Sequence, residues 1–108
     1  MKRVEWSQRA LQDAASGADW YTTEGGMALG ERFLEQVQIT LMWIGQFPAM
    51  GSTRHANCMI GLSAPLRFFP VKAFERYLIY YLDLPTHVEV LRIWSSARGL
   101  SALMEEDT

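Results

Sequence analysis

Residues 74–100 read FERYLIYYLDLPTHVEVLRIWSSARGL, and two strands joined by a turn account for them. The run from Phe74 to Leu82 is dense in aromatic and β-branched residues, which suit a pleated, half-buried surface. Asp83-Leu84-Pro85-Thr86 carries turn chemistry, since proline presets its backbone and aspartate can bond back to its own chain. His87 to Ser95 then forms a last strand. Simple alternation puts Arg92 on the face of Val88, Val90 and Trp94, opposite Leu91 and Ile93.

Upstream, Pro65 to Val71 (PLRFFPV) reads as another strand, with Pro70 near its end or on a sheet edge because proline cannot donate to a ladder. Short links between these three strands imply an antiparallel meander. Residues 48–65 hold Pro48, Gly51, Ser52, Asn57, Gly61 and Pro65, a long loop of a kind that is uncommon unless it serves a function. Before it, Phe33, Val37, Leu41 and Ile44, with Leu34 beside them, form one apolar stripe, which predicts a helix over 27–46 ended by Pro48. Ile39, Met42 and Trp43 lie off that stripe, where a surface helix would carry charge, so they meet either the following loop or another protein. Leu11, Ala14, Ala15, Ala18 and Tyr21 predict a first helix over 8–22, with Ser7 as its cap and Gly25-Gly26 as the break. Residues 2–6 (KRVEW) make a short strand. The expected fold is α+β with the order β-α-α-β-β-β: two N-terminal helices on one face of a small, mainly antiparallel sheet. A single domain spans 1–108, with a helical or flexible tail from about residue 96.

With 49% hydrophobic and 20% charged residues, the chain can bury a core. Its net charge of −2 and pI near 5.6 argue against a free-standing nucleic-acid binder, which carries a basic footprint. One cysteine, Cys58, excludes an internal disulfide and a cysteine-rich metal cluster. His55 and Cys58 stand three apart but read as loop residues, and no ligand spacing suggests a metal or other cofactor. No apolar run approaches the ~18 residues of a membrane span, and the N-terminus has no apolar leader core, so the cytoplasm is the expected location.

The last two strands resemble the C-terminal signature of ParE-type toxins in the RelE/ParE toxin–antitoxin superfamily. There an aromatic strand ending in a Tyr-Ile-x-Tyr-like run leads through a turn to a Val-Leu-Arg-Val-Leu-His-x-Ala-Arg-like strand and tail. The matching residues are Tyr77, Ile79, Tyr81, Val90, Leu91, Arg92, Ile93, Ala97 and Arg98. The opening RVEWS with Arg9, Ala10, Leu11 and Asp13 is similar to the family's start. Pro48 and Gly51 sit where its Pro-x-x-Gly helix exit falls, and Leu66-Arg67 where it has Leu-Arg. Three positions depart: Ser95 stands for the usual histidine, Gly99 for a frequent aspartate, and the arginine that commonly follows the Pro-x-x-Gly is displaced, with Arg54 the nearest candidate.

The resemblance implies a toxin that inhibits DNA gyrase by binding, neutralised by a ParD-like antitoxin through which any DNA contact would come. The expected complex is a hetero-oligomer with no membrane association. Antitoxin contacts are expected at Ile39, Met42, Trp43, Phe68, Phe69 and Tyr77, although the sheet aromatics are equally suited to a core. Target contacts are expected at Arg92, Arg98, Leu100, Leu103 and Met104, with internal hydrogen bonding the competing role for the two arginines. No catalytic residue is assigned. A RelE-like ribosome-dependent mRNA endonuclease is the alternative, but it needs a proton-transfer group near the end of the last strand. After Ile93 no histidine, tyrosine or carboxylate occurs until Glu105. A third reading is a degenerate member that binds an antitoxin without toxicity.

Overall fold

The computed structural model describes residues 1–99 and Leu103. It runs β1 (Arg3–Trp6), α1 (Gln8–Gly25), α2 (Met27–Gln46), β2 (Arg67–Val71), β3 (Phe74–Asp83) and β4 (His87–Ser95), with short 3-10 turns at Pro48–Met50, Ala56–Cys58 and Ser96–Arg98. The four strands form one sheet in the order β1-β4-β3-β2. β2, β3 and β4 make the expected antiparallel meander, and β1 pairs parallel to β4. Pro70 lies on β2, an edge strand, as its missing N–H requires.

The helices are built for close approach. Phe33, Val37, Leu41 and Ile44 are all buried on α2, whereas Leu34 stays partly in solvent. On α1 the buried stripe consists of Ala10, Ala14, Gly17 and Ala18, and Leu11 turns outward, contrary to the expected spacing. Small residues win there because α1 packs tightly: a Cβ on Gly17 would meet the Phe33 ring at 2.8 Å. α1 runs through Gly25, three residues beyond the expected end, and Gly26 alone separates the helices at φ 96 and ψ 168, a conformation essentially confined to glycine. β2 begins at Arg67, not Pro65.

Both faces of the sheet are covered. Tyr77, Ile79 and Tyr81 of β3 pack toward the helices, while Leu78, Tyr80 and Leu82 pack on the opposite side with Leu66, Trp94 and Leu103. That second layer comes from the long loop, through Met59, Leu62 and Ala64, and from Leu103. The expected alternation along β4 fails at one place. Tyr81 faces Val90 but Tyr80 faces Arg92, so Leu91 is an extra, bulged residue. The bulge puts Val88, Val90 and Ile93 on the helix face and Leu91 and Trp94 on the other.

β1 is short, and where it ends α1 takes over the edge of β4. The Ser7 N–H donates to Val90 O, and its hydroxyl donates to Leu91 O at 2.7 Å and accepts from Ala10 N. One turn later Asp13 accepts from the Ile93 N–H at 3.0 Å and from Arg92 Nε and Nη2 at 2.8 and 3.0 Å. Those side chains are only 5% (Arg92) and 12% (Asp13) exposed. Removing one partner of such a buried pair strands the other charge, so Asp13→Ala is expected to lower the unfolding free energy by about 3–5 kcal/mol in urea titration. A loss no larger than that of an ordinary surface substitution would show that the pair is not structural.

Candidate functional site

Two surfaces combine exposure with chemistry. The first is the outward side of α2. Met42 is 58% and Trp43 36% exposed, Ile39 is half-buried, and Phe47 beyond the helix is 63% exposed. Lys72 stands over the Trp43 ring at 5.3 Å, held near the helix by its own N–H, which donates to the buried Thr40 hydroxyl. A cleft of about 440 Å³ opens beside this surface, between Val4 and Trp6 of β1 and Leu41 and Met42 of α2. Its rim carries Lys2 and Arg3, which pair with Asp83 and Glu5. β1 is the sheet edge here. In a parallel ladder alternate residues bond to the same neighbour, so with Ser7 donating to β4 the backbone groups of Val4 and Trp6 face away from it.

The second surface is a cleft of about 210 Å³ at the far end of the β3–β4 pair, lined by Asp13, Gly17 and Trp20 of α1, Tyr77, Ser95 and Arg98. Tyr77 and Ser95 are cross-strand partners. The turn Ser96–Arg98 folds Arg98 back until its guanidinium lies 4.0 Å over the Trp94 ring, and the Trp94 indole N–H donates to Gly99 O. Gly99 has φ 77 and ψ 159, again a region essentially closed to other residues. That is a backbone reason for glycine where the family signature often has aspartate. Burial raises the Tyr77 pKa, and Tyr21 and Asp13 add to the effect while Arg76 and Arg98 oppose it.

The expected contact residues are thus divided. Ile39, Met42 and Trp43 share the α2 surface, but Phe69 and Tyr77 pack against the helix-side core and Phe68 against the opposite layer. The sheet aromatics are mainly interior, because both faces of the sheet are covered. Arg98 is exposed. Arg92 is 4% exposed and committed to Asp13, and Leu103 is fully buried against Trp94 and Tyr80, so neither stands on a free surface. Leu100 and Met104 lie outside the described residues.

Sequence reasoning passed over His55 as a loop residue. It stacks on Phe68 at 4.3 Å and shares a 2.9 Å hydrogen bond with the Tyr80 hydroxyl, pinning the loop to the outer sheet face. Burial pushes the Tyr80 hydroxyl up to about 12. Nothing local in the sequence signals this pairing, since the partners are 25 residues apart. Trp20, 44% exposed under Arg76, was likewise unsignalled. Among the described residues no group of three His, Cys, Asp or Glu side chains is placed to hold a metal ion. None of the described helices is long and apolar enough to cross a membrane.

A family model for the ParE toxin of the type II toxin–antitoxin system parDE matches residues 4–100. The chain belongs to the ParE toxin family. The fold agrees: a chain from the chromosomal ParDE TA system of P. aeruginosa superposes with a TM-score of 0.71 at 15% identity, covering 88% of this chain and 96% of that one. No curated protein matches the sequence. The Pro-x-x-Gly shared with the family now has a physical basis in this toxin. Tyr81 donates to Pro48 O and accepts from the Gly51 N–H, and Arg67 donates to Ala49 O and Gly51 O. A Cβ on Gly51 would meet the Tyr81 ring at 2.8 Å, so only glycine fits beside it.

The His55 contact has a pH signature. Burial, then the neighbouring Arg54, lowers the His55 pKa below its usual 6.5. The folded toxin therefore favours neutral His55, and the contribution is complete above 6.5 and shrinks as pH falls from there toward the depressed value. Stability measured from pH 7.5 to 5.5 should decline more steeply in the parent toxin than in His55→Gln. Parallel pH profiles would mean that His55 titrates normally.

Proposed function

We propose that this toxin acts on DNA gyrase by binding, without a catalytic step of its own, and is neutralised in the cytoplasm by a ParD-like antitoxin. The antitoxin's C-terminal segment would fold across α2, with DNA contacted only through the antitoxin in a hetero-oligomeric complex. The observation that carries the antitoxin site is the exposure of Met42 and Trp43 beside an apolar cleft, on a helix whose other side is core. Exposed apolar patches of this kind mark partner surfaces, and a segment that folds on binding can lay its side chains into them. Ile39 belongs to the same contact set. Phe68, Phe69 and Tyr77 contribute by shaping the sheet beneath more than by touching the antitoxin.

For gyrase we retain Arg98 and the tail residues Leu100 and Met104, and we drop Arg92 and Leu103, which would have to leave the interior to reach a partner. The gyrase reading draws on membership in the ParE family and on the character of the β4 terminus. Ser95 cannot move a proton at neutral pH as a histidine would, and burial keeps the neighbouring Tyr77 hydroxyl protonated. An acidic chain is also poorly suited to docking on ribosomal RNA, where phosphate neutralisation dominates binding.

Purified toxin is expected to inhibit gyrase supercoiling and to lose that effect when the antitoxin is added. Met42→Glu/Trp43→Glu should remain folded and inhibitory but escape the antitoxin, with affinity reduced at least about 100-fold, as expected for burying unpaired charge in an interface hot spot. Mapped mRNA cleavage in a purified translation system would replace the gyrase reading with a ribonuclease. Soluble toxin that binds antitoxin yet affects neither assay would make it a non-toxic member.

A further inference from the structure

The sheet has two edges, and the chain itself guards one of them. Beyond β2, Phe68 exchanges both backbone bonds with Ser52 of the long loop, and Pro70 has no N–H to offer. At β1 the Lys2 N–H is taken by Gly45 O at the end of α2, but the outward backbone groups of Val4 and Trp6 meet no partner among the described residues. Short, charged edge strands usually repel further pairing. β1 is short, yet its charges are of both signs and flank a single valine, in the order Arg3-Val4-Glu5. Val4 and Trp6 pack toward the helices, so alternation puts Arg3 and Glu5 together on the other face. Their side chains are 63% and 48% exposed and pair at 2.6 Å.

We propose that β1 is a self-pairing edge, at which a second copy of this chain adds antiparallel to make a two-fold dimer with one continuous sheet. With the two-fold axis at Val4, the two valines exchange N–H···O bonds, and Arg3 of each copy stands opposite Glu5 of the other. Opposite charges directly across an antiparallel pair stabilise it, and like charges destabilise it. Moving the axis to Arg3 or to Glu5 sets like charges face to face, so the charges select one register. A strand with one charge of each sign about its centre is complementary to itself, as a closed two-fold interface demands. Apolar surface is buried along with it. Trp6 and Met42 line the cleft of about 440 Å³ beside β1, and an added strand closes its open side. Met42 also belongs to the surface proposed for the antitoxin, so the dimer is expected of the toxin alone.

Sedimentation equilibrium of the full-length toxin should show its mass doubling as concentration rises from about 1 µM to about 1 mM. Amide exchange at Val4 and Trp6 should slow over the same range. Glu5→Arg and Arg3→Glu should each weaken association at least about tenfold, by setting like charges opposite. The double swap Arg3→Glu/Glu5→Arg should recover it, and the two single variants, mixed, should pair with each other in preference to themselves. Both side chains are exposed, so every variant should melt like the parent. A toxin monomeric throughout the range, a dimer indifferent to the single variants, or a double swap that stays monomeric would overturn the proposal. Protection of Val4 and Trp6 that appears only when antitoxin is added would overturn it in favour of an antitoxin segment on this edge.

Discussion

The carboxylate of Asp13 holds the two halves of the molecule together. A four-residue β1 leaves the second half of β4 without a strand neighbour on the side away from β3, and an open edge there would present unpaired backbone groups. Asp13 meets the problem from α1 by accepting the Ile93 N–H while taking the Arg92 guanidinium along its other edge. The bulge at Leu91 belongs to the same arrangement, because it shifts the facing of β4 at the point where the helix replaces the strand. Arg92 is thereby converted from a surface candidate into an interior cation, and its remaining flat face lies 4.7 Å over Trp94. Desolvating both charges is costly, so the pair specifies the position of the helix more than it adds net stability.

From that clamp the two layers follow. Once α1 is fixed, its small residues let Phe33 and Tyr21 reach Phe74 and Tyr77 in one aromatic cluster, with ring centroids 4.8–5.4 Å apart for the Phe33–Phe74, Phe33–Tyr77, Tyr21–Phe33 and Tyr21–Phe74 pairs. The opposite face is closed by the long loop, and neighbouring tyrosines on β3 fasten its two parts. Tyr81 holds the start of the loop from the helix side, and Tyr80 holds His55 from the other. Alternation along one strand thus anchors one loop on both faces of the sheet. The loop's length is accounted for by the area of strand it covers.

Periodic features were readable in the sequence and long-range ones were not. The α2 stripe, the Ser7 cap, the glycine break and the β3–β4 turn all depend on neighbours within a few residues, and the order of elements followed from them. Leu11 and Arg92 misled for the same reason in different elements. Spacing says which residues share a face, but not which face requires small side chains or where a bulge resets the count. The α2 patch was legible because Ile39, Met42 and Trp43 break the polar pattern expected of a surface helix. The cleft at the end of β4 was half legible: Tyr77, Arg98 and the unusual Ser95 and Gly99 drew notice, but Trp20 comes from a helix more than fifty residues away in the chain.

The placement of the two candidate surfaces bears on how a toxin of this size could be both active and restrained. The α2 patch lies beside β1, the free edge of the sheet, whereas the Arg98 cleft lies at the end of the β3–β4 pair, against the middle of α1. The clefts beside them share no lining residue, so an occupant of one need not compete directly with an occupant of the other. Both are nevertheless mounted on the same rigid connection: Asp13 lines the second cleft and fixes α1, while α1 packs along α2, which lines the first. An antitoxin segment bound at α2 would therefore neutralise the toxin either by extending far enough to cover Arg98 or by bulk that keeps a large target away. Shifting the Arg98 cleft through the core would require breaking the Asp13–Arg92 contacts, which interior packing makes the least accessible of the three routes.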